Sequence, residues 1–334
     1  MHPNEKDFFD FIYKDNEDRI VNIRDRKRDE NQWRVNVQLK EKELKLQSRF
    51  GDQSNHSIYF IVGAPRTGST LLSQILISAF ELGSQYNAVA KYYMAPLYGF
   101  SDLINDKTKD NFEFKSDLGN TRGVINAHEF GYFWQYWLNY KDHHQPSVEH
   151  LNKVDVVGLQ SKLNAITNLL GSDLLIKNQV YINFIIKWLS DHFMNSKFIF
   201  IERNEVDIVE SILNSRKLQY GSYDYWWSLK PQNYRNWLKI HPIEQVCHQV
   251  CYTNVKIKEQ LAQLDDSRYL SIDYSDLIEN FNNTLRSAKS FFGRNPTTLK
   301  MIKSQISVRS KEYELPWSKY RIKESVKKVK ELYN

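Results

Sequence analysis

Residues 58–80 read IYFIVGAPRTGSTLLSQILISAF, and no other stretch constrains the fold as tightly. IYFIV is a short apolar run of β-branched and aromatic residues, the pattern of a strand buried on both faces. TLLSQILISAF is apolar at helical spacing. Between them lies GAPRTGST, one change away from the phosphate-cradling pattern G-x-x-x-x-G-K-[ST]. Gly63 and Gly68 stand at the right interval and Ser69-Thr70 follow, but no lysine does; an arginine, Arg66, sits inside the loop instead.

A strand, a glycine loop and a helix in that order form an anion site from backbone alone. The loop N–H groups point inward, and the helix N-terminus carries positive partial charge. Pro65 stiffens the entry, Gly68 lets the backbone approach a ligand, and Thr67, Ser69 and Thr70 bring hydroxyls. Arg66 adds a permanent forked cation. Gly63, Pro65, Arg66, Thr67, Gly68, Ser69 and Thr70 are therefore the candidate anion-binding residues.

The alternation recurs downstream. YINFIIKWLSDHF (181–193) predicts a helix leading into a strand, KFIFI (197–201); a loop, ERNEV, and a helix, DIVESILNSRK, follow, and RYLSIDY (268–274) predicts a further strand. Strands alternating with helices predict a parallel sheet with right-handed crossovers. The expected fold is α/β: a P-loop-type parallel sheet flanked by helices, in a single domain over 55–295. A charged helical extension precedes it (1–54), and a basic helical tail (296–334) is expected to pack on its surface. In the extension, Ile20, Val21 and Ile23, then Val37, Leu39, Leu44 and Leu46, recur at helical spacing and mark the face expected to be covered.

Composition narrows the partners. A chain of 334 residues, 41% hydrophobic and 26% charged, can bury the core of one large domain. The net charge of +6 is spread along the chain, without the basic stripe of a nucleic-acid-binding protein, and suits a small anionic ligand. The acidic start lacks the pattern of a secretory leader, and no apolar run is long enough for a membrane span, so a cytoplasmic location is expected. Cys247 and Cys251 are too few for a disulfide framework; four apart in EQVCHQVCYTNVKIKEQL, they read as buried thiols on one helix face. His248 alone does not turn them into a metal site.

The loop GAPRTGSTLL resembles the 5′-phosphosulfate loop of sulfotransferases, P-R-[ST]-G-[ST]-T-L-L. Those enzymes draw on 3′-phosphoadenosine-5′-phosphosulfate (PAPS). A second signature of that family, a strand followed by R-[DN]-P-x-D-x-x-x-S, binds the 3′-phosphate of the donor. FIFIERNEVDIVES matches it at Arg203, Asn204, Asp207 and Ser211, with Glu205 in place of the proline. The spacing makes physical sense: Arg203 would end a strand, where ligands of parallel sheets bind, and Ser211 would lie on the next helix. The resemblance spans about residues 57–280. It implies a PAPS-dependent sulfotransferase of bacterial type, close to carbohydrate and tyrosine sulfotransferases in its loop and working without a metal.

That resemblance also assigns roles. Arg66 occupies the place of the family's loop cation, which neutralises charge on the leaving oxygen. Lys177, in LLIKNQV, resembles a K-x-P lysine, with Gln179 where the proline would stand. For the base, NAHEFGYFWQYW (126–137) offers His128 and Glu129 ahead of an aromatic cluster; the alternative is that both cap a helix whose aromatics are core. Histidine serves as base in cytosolic relatives and glutamate in several others, and an ordinary histidine value near 6.5 suits the task. SQYNAVAKYYMAP (84–96), with Asn87 where some relatives carry an acidic base, and YGSYDYWWSLKP (220–231) could line the acceptor side or simply pack. The expected partner is a small-molecule or glycan acceptor. Two rivals stand: a kinase with an atypical loop, holding Mg²⁺ through a strand-end acid such as Glu202 or Asp273, and a non-catalytic nucleotide-binding scaffold.

Overall fold

A computed structural model describes residues 26–106, 114, 116–117, 119–140, 142–297, 302 and 313–333. The expectations for Ile20, Val21 and Ile23, and for 298–301, 303–312 and 334 of the tail, lie outside the described residues. Seven strands are described: β1 (Ile58–Val62), β2 (Gly83–Ser84), β3 (Ser116–Asp117), β4 (Asn120–Thr121), β5 (Leu174–Lys177), β6 (Ser196–Glu202) and β7 (Tyr269–Asp273). Five form one parallel sheet in the order β2-β5-β1-β6-β7, and β3 pairs antiparallel with β4 in a separate hairpin.

β1 lies in the middle because all five of its residues are apolar and both its faces are covered. Ile58, Phe60 and Val62 join one core with Trp134, Leu163 and Ile176; Tyr59 and Ile61 join the other with Leu72, Ile75 and Leu76. The helix Ser69–Phe80 supplies those last three residues. Burying each such side chain contributes about 1.5–3 kcal/mol. From β1 the chain crosses to β2 at one edge, whereas β6 extends the sheet on the other side of β1. The loop after β1 therefore opens at the point where the crossovers diverge, where open parallel sheets bind ligands.

Two expectations need correction. The helix anticipated over 181–193 is two short helices, Gln179–Ile182 and Ile186–His192. The break lies at Asn183, whose amide is drawn to Gly63: Asn183 Nδ2 donates to the Gly63 carbonyl at 2.7 Å and Oδ1 accepts from the Gly63 N–H at 3.1 Å. Gln260 then caps the second helix, its Oε1 accepting from the Ile186 N–H at 2.8 Å.

The N-terminal extension forms helices Arg26–Gln38 and Lys40–Phe50; Leu46 packs against the core as expected, but Leu44 is exposed, and the fully buried residues of these helices are polar: Asp29, Asn36 and Glu43. They recur every seventh position, and each reaches the domain. Tyr132 Oη donates to Asp29 Oδ2 at 3.0 Å, and Asn36 binds the Lys91 carbonyl and the Met94 N–H, both at 2.8 Å. Glu43 takes the N–H groups of Leu97 and Tyr98 at the start of the helix Pro96–Asn105.

The tail helix Lys319–Lys330 buries Ile322, Val326 and Val329 in a cluster with Ile208, Ile212, Val246 and Val250. Cys247 and Cys251 lie in the same cluster on the helix Pro242–Leu261, and burial pushes the Cys251 thiol up to about 12. No described helix is long and apolar enough to cross a membrane.

Candidate active site

The loop 63–68 leaves β1 with three residues at positive φ: Gly63 (153°), Arg66 (71°) and Gly68 (97°). Arg66 is the costly one, since the left-handed region disfavours any residue with a Cβ, and such strain gathers at functional sites. Gly68 is required twice over: besides its φ, a Cβ there would lie 2.4 Å from the Tyr274 ring. Gln179 clamps the loop from beneath. Its Nε2 donates to the carbonyls of Gly63 (2.9 Å) and Ala64 (3.1 Å), and its Oε1 accepts from Ser69 Oγ at 2.7 Å. The Thr67 hydroxyl donates to the Ala64 carbonyl at 2.9 Å and that of Thr70 to the Gly119 carbonyl at 3.4 Å. The three loop hydroxyls thus hold the loop's shape. Among the described residues, the backbone N–H groups of Thr67, Gly68, Ser69 and Thr70 have no acceptor, and they form the anion-facing donor set at the start of the helix.

The second motif meets the first. β6 ends at Glu202 and Asn204 caps the helix Glu205–Tyr220, its Oδ1 accepting from the Val206 N–H at 3.0 Å. Two turns in, buried Ser211 accepts at Oγ from Arg66 Nε at 3.0 Å, a hydrogen bond spanning 145 positions of sequence. Arg203 crosses in the other direction, Nη1 donating to the Arg66 carbonyl at 3.3 Å, with its guanidinium 4.6 Å from the Tyr274 ring centroid. Arg203 Nε is buried and has no hydrogen-bond partner among the described residues, and Asp207 Oδ2 lies 4.0 Å away.

On the other flank, Lys177 ends β5, its side chain 2% exposed. Its Nζ lies 2.6 Å from Glu129 Oε1 and donates to the Gly119 carbonyl at 3.3 Å. The hairpin tip at Gly119, held by both Lys177 and Thr70, therefore stands over the loop. Glu129 is positioned through its backbone, its carbonyl accepting from Asn178 Nδ2 at 2.5 Å, and its carboxylate is 43% exposed.

His128 is held differently. Its N–H donates to the Gln85 carbonyl at 2.6 Å, and its Nδ1 accepts from the Phe130 N–H at 2.9 Å. Burial lowers its pKa, the nearby Lys177 lowers it further, and Glu129 opposes them. A neutral imidazole that accepts at Nδ1 carries its proton on Nε2. In that tautomer Nδ1 is the accepting nitrogen of His128 and Nε2 the donor.

A sequence model described as the sulfotransferase family matches residues 59–297. The chain belongs to the sulfotransferase family. Among solved structures it is similar to sulfotransferase STF9 from Mycobacterium avium, with 12% identity over 91% of this chain and 84% of that one and a TM-score of 0.56. It is likewise similar to sulfotransferase STF1 from Mycobacterium tuberculosis H37Rv, with 14% identity over 96% of this chain and 90% of that one and a TM-score of 0.53. At such identity the likeness is one of fold. No curated protein sequence matches.

The sulfotransferase fold thus brings Arg66, Arg203 and Ser211 together on one flank of the loop, and Lys177, Glu129 and Thr70 on the other, with His128 close enough to Lys177 to feel its charge. Other sequence candidates serve packing. Phe130, Phe133, Trp134 and Trp137 are core, as is Trp226, which stacks with Trp237 over Arg216. Asn87 spends its amide on Thr121 and Gly123, bracing the hairpin. Sequence reasoning missed Asn183, Gly119, Tyr274 and Tyr313, and it saw Gln179 only as a lost proline. None carries a local signal, because each acts across 49 or more positions of chain.

Proposed function

We propose that this sulfotransferase moves the sulfuryl group of PAPS to a hydroxyl of a small acceptor, a carbohydrate or other small hydroxylated molecule, by in-line displacement. The observation that carries the reading is the Arg66–Ser211 hydrogen bond, which makes one site of the two signature segments. The donor set fits such a nucleotide. Four unpaired backbone N–H groups, at Thr67 to Thr70, suit the 5′-phosphosulfate, while Arg203, with a buried and unpartnered Nε, and Ser211 suit the 3′-phosphate. When bound, PAPS supplies an activated sulfuryl group with a nucleotide phosphate as leaving group.

The chain's own residues divide the remaining work. Arg66 bridges the two loops, so Lys177, fixed by burial, becomes the first candidate to neutralise charge growing on the leaving oxygen. Glu129, half-exposed beside that lysine, is the better candidate to take the acceptor's proton, since His128 holds its own proton on Nε2. An anionic group between Thr70 and Lys177 replaces the Gly119 carbonyl as their acceptor, so occupancy of the site and position of the hairpin are coupled. The acids a kinase would need for Mg²⁺ are otherwise engaged: Glu202 pairs with Lys258 at 2.5 Å, and Asp273 caps its own helix through the Ser275 N–H at 2.7 Å.

Calorimetric titration with 3′-phosphoadenosine-5′-phosphate without metal, set against ADP and ATP with Mg²⁺, tests the proposal. Micromolar binding of the bisphosphate and weak binding of the others is the expected result. Preference for ATP with Mg²⁺ overturns it in favour of a kinase.

A further inference from the structure

We infer that Tyr313, from the C-terminal segment, is a positioning residue that makes the site specific for a 3′-phosphorylated nucleotide, acting through Ser211. The inference rests on the donor assignment above. Tyr313 Oη donates to Ser211 Oγ at 3.1 Å, and Arg66 Nε donates to the same oxygen at 3.0 Å. A hydroxyl oxygen has two lone pairs and one proton. With both lone pairs filled by these donors, the Ser211 O–H is left as a donor, and no described residue accepts from it. A serine so arranged offers a directed proton to an anion. Without Tyr313, one lone pair is free and the hydroxyl can rotate to satisfy itself elsewhere.

The segment that delivers Tyr313 is anchored on the helix carrying Ser211. Lys319 Nζ lies 3.4 Å from Asp207 Oδ1 and 3.7 Å from Glu210 Oε2, and Lys330 Nζ lies 2.8 Å from Glu205 Oε1. Trp317 packs edge-on against Tyr223 at 4.9 Å and His241 at 5.2 Å. These contacts tie the segment that follows Tyr313 to the first turns of Glu205–Tyr220, the helix that carries Ser211. The tail is by this account part of the nucleotide site.

The test is calorimetric titration of the full chain and its Tyr313→Phe and Ser211→Ala variants, single and combined, with 3′-phosphoadenosine-5′-phosphate and with adenosine-5′-phosphate. Tyr313→Phe is expected to weaken the bisphosphate about three- to tenfold, the worth of one hydrogen bond, and to leave the monophosphate unchanged. In the Ser211→Ala background the same change is expected to have no further effect. In turnover with PAPS, KM for the donor rises by the same factor and kcat at saturation holds. Equal weakening of both nucleotides, or a full Tyr313→Phe effect without Ser211, overturns the inference by reducing Tyr313 to packing. Unchanged binding in Tyr313→Phe also overturns it while the donor assignment stands. A wild-type chain that does not prefer the bisphosphate removes the assignment itself.

Discussion

Lys177 Nζ lies 2.6 Å from Glu129 Oε1, and the two partners differ in their surroundings: the lysine side chain is 2% exposed, the carboxylate 43%. The cation is fixed and the carboxylate reaches outward, the arrangement needed when one group stabilises charge inside a site and its neighbour meets an incoming hydroxyl. Glu129→Gln keeps the size of the side chain and an oxygen for Lys177 but removes the proton acceptor. Turnover is expected to fall by about 10²–10⁴, with affinity for 3′-phosphoadenosine-5′-phosphate within about twofold of wild type. Steady-state kinetics alongside calorimetry separates the two; full turnover in Glu129→Gln would move the base elsewhere.

His128 makes the opposite prediction. Burial depresses its pKa below the ordinary 6.5, so the folded state favours the neutral ring. Its contribution to stability is complete above the unfolded value near 6.5 and is lost as pH falls from there through the lower folded value. His143, His241 and His248 are shifted in the same direction, each chiefly by burial. Denaturation midpoints are therefore expected to decline as pH drops below about 6.5, with His128→Asn, which keeps an acceptor for the Phe130 N–H, showing a shallower decline than wild type. A steeper or unchanged profile in that variant contradicts the buried, neutral assignment.

The parts of the fold that were legible in the sequence are those that local periodicity controls. β1, its loop and the helix Ser69–Phe80 read directly from IYFIVGAPRTGSTLLSQILISAF, because a five-residue apolar run and a helical repeat each declare themselves within a dozen residues. The partnership of Arg66 with Ser211 was legible only through two motifs, since nothing local links positions 145 apart. What stayed hidden was polar and long-range. Asp29, Asn36 and Glu43 look like a solvated face by composition, yet they are the buried face, because each finds a specific partner on the domain. Asn183 breaks a helix that its apolar neighbours favour, because satisfying both backbone groups of Gly63 outweighs continuing one turn.

Gly68 offers a test of the loop's backbone that avoids its charged groups. Gly68→Ala places a methyl 2.4 Å from the Tyr274 ring at a φ of 97°. The strain alone costs about 1–3 kcal/mol, and relief requires the ring to leave its place beneath Arg203. Lower stability and lost nucleotide binding are expected together. Adding Tyr274→Ser removes the clash but not the φ, so stability should recover in part while nucleotide affinity stays impaired. Recovery of both by the double variant would show that the Arg203–Tyr274 contact is dispensable.

The extension's grip on the domain is tested at Glu43 and Lys162, whose charged atoms meet at 2.5 Å with both side chains 4% exposed. Burial lowers the Lys162 pKa, and the carboxylate's charge and hydrogen bond only partly offset it. Glu43 also accepts from the Leu97 and Tyr98 N–H groups. Glu43→Ala strands a buried cation and both amides, with an expected loss of about 3–5 kcal/mol. Glu43→Leu with Lys162→Met removes both charges and strands only the amides, so its loss should be smaller, about 1–3 kcal/mol. Urea denaturation of the three proteins decides the matter. A double variant less stable than Glu43→Ala would mean that the pair's attraction exceeds its desolvation cost, and that this seam holds by charge instead of by the helix cap it provides.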